Sequence, residues 1–159
     1  MKILAFDPGY EKLGYALFVK KSNPEYITSG LIKTIRTKTE GERLLDIYIA
    51  VTQIILREQP DQVAIEKLFF SKNVRTALGV SQVIGIILLL AAQNNLKVLE
   101  LTPKQIKETI TGYGAADKKA LQKMLWLQIG RQIVVADDDE SDAIACGLAA
   151  CLRNSLLMP

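Results

Sequence analysis

The chain has no histidine among its 159 residues. That absence excludes Ser-His-Asp and Cys-His nucleophile systems, histidine-ligated zinc and any imidazole general base. Cysteine is scarce as well, with only Cys146 and Cys151. Their five-residue separation in a helical-looking stretch sets them about 140° apart around the axis. It is neither a Cys-x-x-Cys redox spacing nor part of a zinc set, so two small buried side chains in a reducing cytoplasm are expected. Long apolar runs are also missing. The longest, Val83 to Ala92, falls well short of the ~18 residues of a membrane span. The N-terminal run Ile3-Leu4-Ala5-Phe6 is too short for a signal peptide and ends on a carboxylate. A cytoplasmic protein with no membrane partner is expected, its chemistry resting on carboxylates, lysines, hydroxyls, cysteines or a bound metal.

Hydrophobic residues make up 49% and charged residues 23%, an ordinary globular balance that argues against disorder. No linker, repeat or low-complexity tract interrupts the chain, so one domain over 1–159 is expected. Short apolar runs at Ile3–Phe6, Leu13–Val19 and Tyr26–Ile32 read as strands, broken by Asp7-Pro8-Gly9 and by Ser22-Asn23-Pro24. From Thr39 to Glu58 the apolar period becomes helical, and Pro60 stops it. Val63-Ala64-Ile65 is a further strand, Asn73 to Asn95 a long apolar helix, and Lys97 to Leu101 a last strand. Helices follow near 103–110, 117–128 and 139–153. This order predicts an α/β fold, a ribonuclease H-like mixed sheet with helices on both faces. Actin-like ATPases share the opening, so order alone does not decide function.

Carboxylates stand where such sheets place their sites. Asp7 ends an apolar strand, and Glu66 closes Val63-Ala64-Ile65, where a buried strand has little reason to end on a charge. Residues 137–142 read Asp-Asp-Asp-Glu-Ser-Asp, five acids in six positions. The net charge of +3 comes from 20 basic and 17 acidic residues. Without those five acids the rest of the chain carries +8, so a basic protein holds one concentrated acidic site. Helix capping explains some of these charges, but five at one point repel unless cations or solvent screen them. Asp139 and Asp142 lie three apart on one helical face, followed by small residues that let a helix lie close to a sheet. Asp7, Glu66, Asp139 and Asp142 together offer hard oxygen ligands and no nitrogen, a set that suits Mg²⁺, or Mn²⁺ in its place. Two such ions about 3.5–4 Å apart support phosphodiester hydrolysis.

With these residues in place, the chain resembles the RuvC family of Holliday-junction resolvases over nearly its whole length. The matching segments are Phe6-Asp7-Pro8-Gly9, Ala64-Ile65-Glu66, and Lys72-Asn73 with Ala77-Leu78, Gln82 and Gly85. They continue with Pro103-Lys104-Gln105-Ile106-Lys107, Gly112-Tyr113-Gly114 with Asp117-Lys118, and Asp139-x-x-Asp142-Ala143. Each piece is weak alone, and their order and spacing are strong together. The resemblance implies a homodimer that cuts four-way DNA junctions with Mg²⁺, in company with a RuvA-RuvB type branch-migration complex. It makes Asp7, Glu66, Asp139 and Asp142 the catalytic metal ligands. Spacing to Asp142 allows Asp138 as well as Asp139, and the resemblance favours Asp139.

The DNA-contacting side follows Glu66. The resemblance points to Phe69 as a ring that stacks on an unpaired base, with Lys72 and Arg75 on flanking phosphates. Lys104, Lys107, Lys118, Lys119 and Lys123 form a second basic group around a glycine-containing loop. By resemblance Lys107 and Lys118 lie near the scissile phosphate, and Asp117 is a helix cap. The helix Asn73–Asn95 is apolar nearly all round, which suits one face on the sheet and another on a second subunit. Alternative readings are another ribonuclease H-like nuclease processing ribosomal RNA, an actin-like nucleotide-binding protein and a catalytically silent junction-binding module.

Overall fold

The computed structural model describes residues 1–67, 74–135 and 137–156, with the backbone alone at 74–76 and 154–156. Five strands are formed: β1 (Lys2–Asp7), β2 (Lys12–Val19), β3 (Glu25–Lys33), β4 (Gln62–Glu66) and β5 (Lys97–Leu101). Five helices accompany them: α1 (Glu40–Glu58), α2 (Val74–Gln93), α3 (Pro103–Thr111), α4 (Lys118–Ile129) and α5 (Asp138–Leu156). The sheet order is β3-β2-β1-β4-β5. β1, β2 and β3 run antiparallel in sequence, while β4 and β5 join β1 in parallel. This is the α/β mixed sheet expected from the sequence.

The central strand β1 explains the layering. Ile3, Leu4, Ala5 and Phe6 are all fully buried, as a strand covered on both faces requires. Leu4 and Phe6 face α1 and α2, joining Leu13, Leu17, Val63 and Ile65 beneath Ile47, Val51, Ile54, Val83 and Ile87. Ile3 and Ala5 face the other way, with Ala16, Phe18 and Ala64, under α3, α4 and α5. Local signals set the helix ends. Thr39 caps α1 in a reciprocal box with Glu42, and Gln59 closes it in the left-handed region just before Pro60. Thr102 and Gln105 form a second box at α3, and the Asp117 carboxylate accepts the Ala120 N–H at 2.8 Å to start α4. Cys146 and Cys151 are free and buried, as expected.

Helix α5 packs along β1 and β2 through small side chains. Ala143, Ala145, Ala149 and Ala150 are buried there. At Gly147 an added Cβ would come within 2.6 Å of the Phe18 ring and 3.2 Å of the Ala5 Cβ. A methyl group gains about 1 kcal/mol of helix propensity but must displace a fully buried ring. We therefore expect Gly147→Ala to lower stability by about 1–2 kcal/mol net in urea titration; an unchanged or raised midpoint would show that α5 has room to move.

Candidate active site

Strand parity brings the first two acids together. β1 and β4 are registered in parallel through Ala5↔Ala64 and Phe6↔Ile65. Continuing that register by one residue sets Asp7 beside Glu66. Both share the parity of Ala5 and Ala64, so they point to the α5 side. There α5 begins, and its approach is close because Gly14, the β2 partner of Asp7, has no side chain. A Cβ on Gly14 would stand 2.0 Å from the Asp139 carbonyl oxygen. The first turn of α5 therefore rests on the strand backbone next to Asp7.

The five acids of residues 137–142 separate into different roles. The Asp137 carboxylate is paired with the Lys12 ammonium across the mouth of the β1–β2 hairpin. Asp138 turns outward, its side chain 73% exposed and 3.1 Å from the Lys118 ammonium. Glu140 is buried and accepts the Ser29 hydroxyl at 2.6 Å. Asp139 and Asp142 turn towards Asp7, and both raise its carboxyl. Asp138 is paired with Lys118, and Asp139 is among the groups that raise Asp7.

The electrostatics mark Asp7 as the centre. Burial, then Glu66, Asp142 and Asp139, push its carboxyl up to about 8 against a small opposing effect of Lys118. Burial and Asp142 raise Glu66 to about 7, with Lys107 pulling the other way. Burial also raises Asp139, with Asp137 and Asp138 adding and Lys12 and Lys118 opposing. Asp142 is raised by burial, offset in part by Lys118, which stands 3.7 Å away. Like charges are therefore crowded together with too little positive charge among them. Among the described residues no three acidic side chains close into a ready-made metal cage. The donor chemistry nonetheless fits a hard divalent cation, since every inward-facing group is a carboxylate and a cation would relieve the repulsion. Cys146 is fully buried behind these acids, and burial, then Glu66 and Asp7, raise its thiol.

Two clefts open on either side of the acids. One, about 210 Å³, is lined by Glu66, Lys107, Lys118 and Asp142 among others. The other, about 940 Å³, reaches from Asp139 and Lys12 past Tyr10 and Arg43 to Leu78 and Gly79 of α2. Lys107 and Lys118 thus share a cleft with Glu66 and Asp142. Phe69 and Lys72 lie outside the described residues, and so does the side chain of Arg75. Three features of the site carried no sequence expectation. Lys12 and Gly14 are on the face of β2 that meets α5, a signal readable from strand parity. Arg43 is buried, donates to Thr34 Oγ1 and to the Tyr10 carbonyl, and stacks 4.0 Å over the Tyr10 ring. It buttresses the hairpin that carries Asp7.

Comparison with known proteins agrees with this geometry. The family model "Crossover junction endodeoxyribonuclease RuvC" matches residues 3–151. The RuvC of Caldicellulosiruptor saccharolyticus is 41% identical over 160 aligned positions, covering 99% of this chain and 96% of its relative. That of Thermosipho melanesiensis is 42% identical, covering 96% of each. Among solved structures, Thermus thermophilus RuvC in complex with a Holliday junction substrate superposes with a TM-score of 0.91 at 25% identity, over 98% of this chain and 96% of that one. The Fowlpox virus resolvase, also solved with a Holliday junction, shares the fold more loosely, with a TM-score of 0.57 at 23% identity, over 99% of this chain and 100% of that one. A mixed sheet whose two central parallel strands end on carboxylates, matched across almost all its length by one family, has a single place: the chain belongs to the RuvC family of crossover junction endodeoxyribonucleases.

Proposed function

We propose that this protein resolves four-way DNA junctions by metal-assisted hydrolysis at Asp7, Glu66, Asp139 and Asp142, acting as a homodimer of single-domain subunits in the cytoplasm. The placing of Asp7 beside Glu66 at the ends of β1 and β4, under the acidic first turn of α5, carries the reading. Junction resolution suits this site better than ribosomal RNA processing or silent binding. The Caldicellulosiruptor saccharolyticus and Thermosipho melanesiensis relatives are named endodeoxyribonucleases, and the Thermus thermophilus protein was solved on a Holliday junction. Association with a branch-migration complex of RuvA-RuvB type belongs to the same proposal, on the family resemblance.

The chain's own groups divide the work. Asp7, Glu66, Asp139 and Asp142 would hold Mg²⁺, or Mn²⁺ in its place, as one or two ions. A bound ion supplies Lewis-acid activation of water and charge stabilisation at the leaving oxygen. Lys107 and Lys118 supply positive charge at the mouth of the smaller cleft and draw a phosphate towards the acids. Lys118 is engaged by Asp138 and Asp142 in the free protein, so meeting a phosphate exchanges one anionic partner for another. Phe69, Lys72 and Arg75 complete the DNA side, with Phe69 stacking on an unpaired base near the junction centre.

The dimer rests on exposed apolar surface. No helix among the described residues is long and apolar enough to cross a membrane, so this surface needs another explanation. On α2, Val83, Ile87 and Leu90 face the sheet, while Leu78, Leu88 and Leu89 are exposed. α1 packs beside it and exposes Leu45, Ile49 and Leu56. Exposed apolar side chains on two adjacent helices suit an isologous interface, and paired symmetric cuts need two sites related by a two-fold axis.

Three outcomes test these assignments. Replacing Asp7, Glu66, Asp139 or Asp142 by the matching amide should reduce junction cutting at least ~10³-fold while leaving junction binding within a few-fold, because binding rests on lysines and stacking. Asp138→Asn should cost much less than Asp139→Asn; the reverse order would assign the ligand to Asp138. Leu89→Glu should give a folded monomer in sedimentation that loses paired cuts, whereas Ile87→Glu should unfold, since its charge would be buried and alone. A dimeric Leu89→Glu protein would place the interface elsewhere.

A fourth outcome concerns pH. In EDTA the unfolded chain ionises Asp7 near 3.8, and the folded chain does so only at about 8. The folded state thus favours the neutral form, and that stability is present below about pH 4 and lost as pH rises through 8. Melting curves of wild type and Asp7→Asn should converge below about pH 4. At pH 9 the variant should melt higher by roughly 4–8 °C, corresponding to about 2 kcal/mol. Parallel pH dependence of the two proteins would mean that Asp7 is not crowded by its neighbours.

A further inference from the structure

We propose that Lys12 and Asp137 form a positioning brace that sets where the first turn of α5 presents Asp139, and that neither residue contacts the ion or the scissile phosphate. This rests on the metal-site reading above and adds two residues to it. Asp137 stands at the position before the helix: its carbonyl accepts the Ser141 N–H at 3.3 Å, the first helical bond of α5. Its carboxylate is paired with the Lys12 ammonium, 125 residues away in sequence. Lys12 sits at the start of β2, two residues before Gly14 and on the same face. β2 therefore meets the start of α5 at two points. At Gly14 the strand backbone lies against the Asp139 carbonyl, and at Lys12 a cation holds the residue before the helix.

The pairing has a specific consequence. A helix start bearing several carboxylates is pushed away from Asp7 and Glu66 by like charge, and sterics at Gly14 limit only how close it comes. Attachments to the sheet oppose the drift. Lys12 supplies one beside the Ser29–Glu140 bond, and by engaging Asp137 it also withdraws one acid from the cluster. The Asp137 carboxylate also accepts from the backbone N–H groups of Asp139 and Asp138. The Asp137 side chain is 22% exposed and that of Lys12 42%, so the pair adds little to global stability. Its effect is on position, and small misplacements of a reacting centre are costly, up to roughly 100-fold for 1 Å.

The test uses the full-length protein with Lys12→Met, Asp137→Asn, the double variant and Lys12→Arg. Four quantities are measured: single-turnover cutting of a synthetic junction, junction affinity in EDTA, Mn²⁺ affinity of the DNA-free protein by electron paramagnetic resonance titration, and melting temperature. Asn keeps a capping oxygen, so Asp137→Asn removes the ion pair with little loss of the cap. Both single variants should cut roughly 10- to 100-fold more slowly, with junction affinity and melting temperature nearly unchanged. The double variant should be no worse than either single one, and Lys12→Arg should recover most of the rate.

Mn²⁺ affinity should fall about 3- to 10-fold in Lys12→Met, although loss of a nearby positive charge alone would raise it. That opposite sign separates positioning from simple electrostatics. Three results would overturn the brace. One is Lys12→Met with wild-type cutting and unchanged or tighter Mn²⁺ binding. Another is Lys12→Met with weaker junction binding and a shallower salt dependence, which would make Lys12 a phosphate contact. The last is Asp137→Asn losing far more than Lys12→Met, which would make Asp137 a ligand. A wild-type protein that bound Mn²⁺ but failed to cut the junction would defeat the functional reading instead, and the Mn²⁺ titrations would still decide the brace.

Discussion

Helix α5 meets the sheet at its first turn with backbone against backbone, the Asp139 carbonyl lying over Gly14 of β2 where no side chain intervenes. The rest of the centre depends on that approach. β1 and β4 can deliver two carboxylates to one point by register alone, but two acids on adjacent parallel strands are not enough to surround a cation. The remaining two arrive only if a helix carrying them comes within reach of Asp7. Small residues along α5 make this possible at each turn: Ala143 and Ala145 near the site, and Gly147 and Ala149 deeper against Ala5 and Phe18. Packing in the interior and electrostatics at the rim are one problem here, because the helix that fills the space over the sheet also carries the charge.

The cost of the arrangement is visible in the acids themselves. Asp7 is raised to about 8 and Glu66 to about 7 because burial and like charge both disfavour ionisation. Positive groups are placed at the edge: Lys118 on the outer side of Asp138 and Asp142, Lys107 by Glu66, and Lys12 on Asp137. None of them neutralises the centre. A basic rim around an under-neutralised acidic centre suits a site that receives both a cation and a polyanion.

Much of this was legible in the sequence, for physical reasons that differ by residue. Asp7 and Glu66 announced themselves because buried parallel strands seldom end on a charge, and Asp117 because an acid before a lysine-rich helix is an N-cap. The choice between Asp138 and Asp139 was not legible from spacing. Neighbouring helix positions differ by about 100°, and both i,i+3 and i,i+4 meet Asp142, so only the seating of the helix separates them. The five-acid run read as one feature and folds as several, since Asp137, Asp138 and Glu140 find separate partners on β2, α4 and β3. The Lys12–Asp137 pair was invisible because nothing local connects residues so far apart in the chain. The long helix α2 was legible as apolar all round, but which side meets the sheet required the positions of Val83 and Ile87.

The central claim is that Asp7, Glu66, Asp139 and Asp142 share one cation site, with Asp138 outside it. Anomalous diffraction from crystals grown with Mn²⁺ tests this most directly. The account predicts an anomalous peak bounded by oxygens of Asp7, Glu66 and the two inward-facing acids of α5, at Mn–O distances of about 2.0–2.3 Å, with Lys118 turned from Asp142. A peak on Asp138 or Asp137, or none near Asp7 at millimolar Mn²⁺, would contradict it.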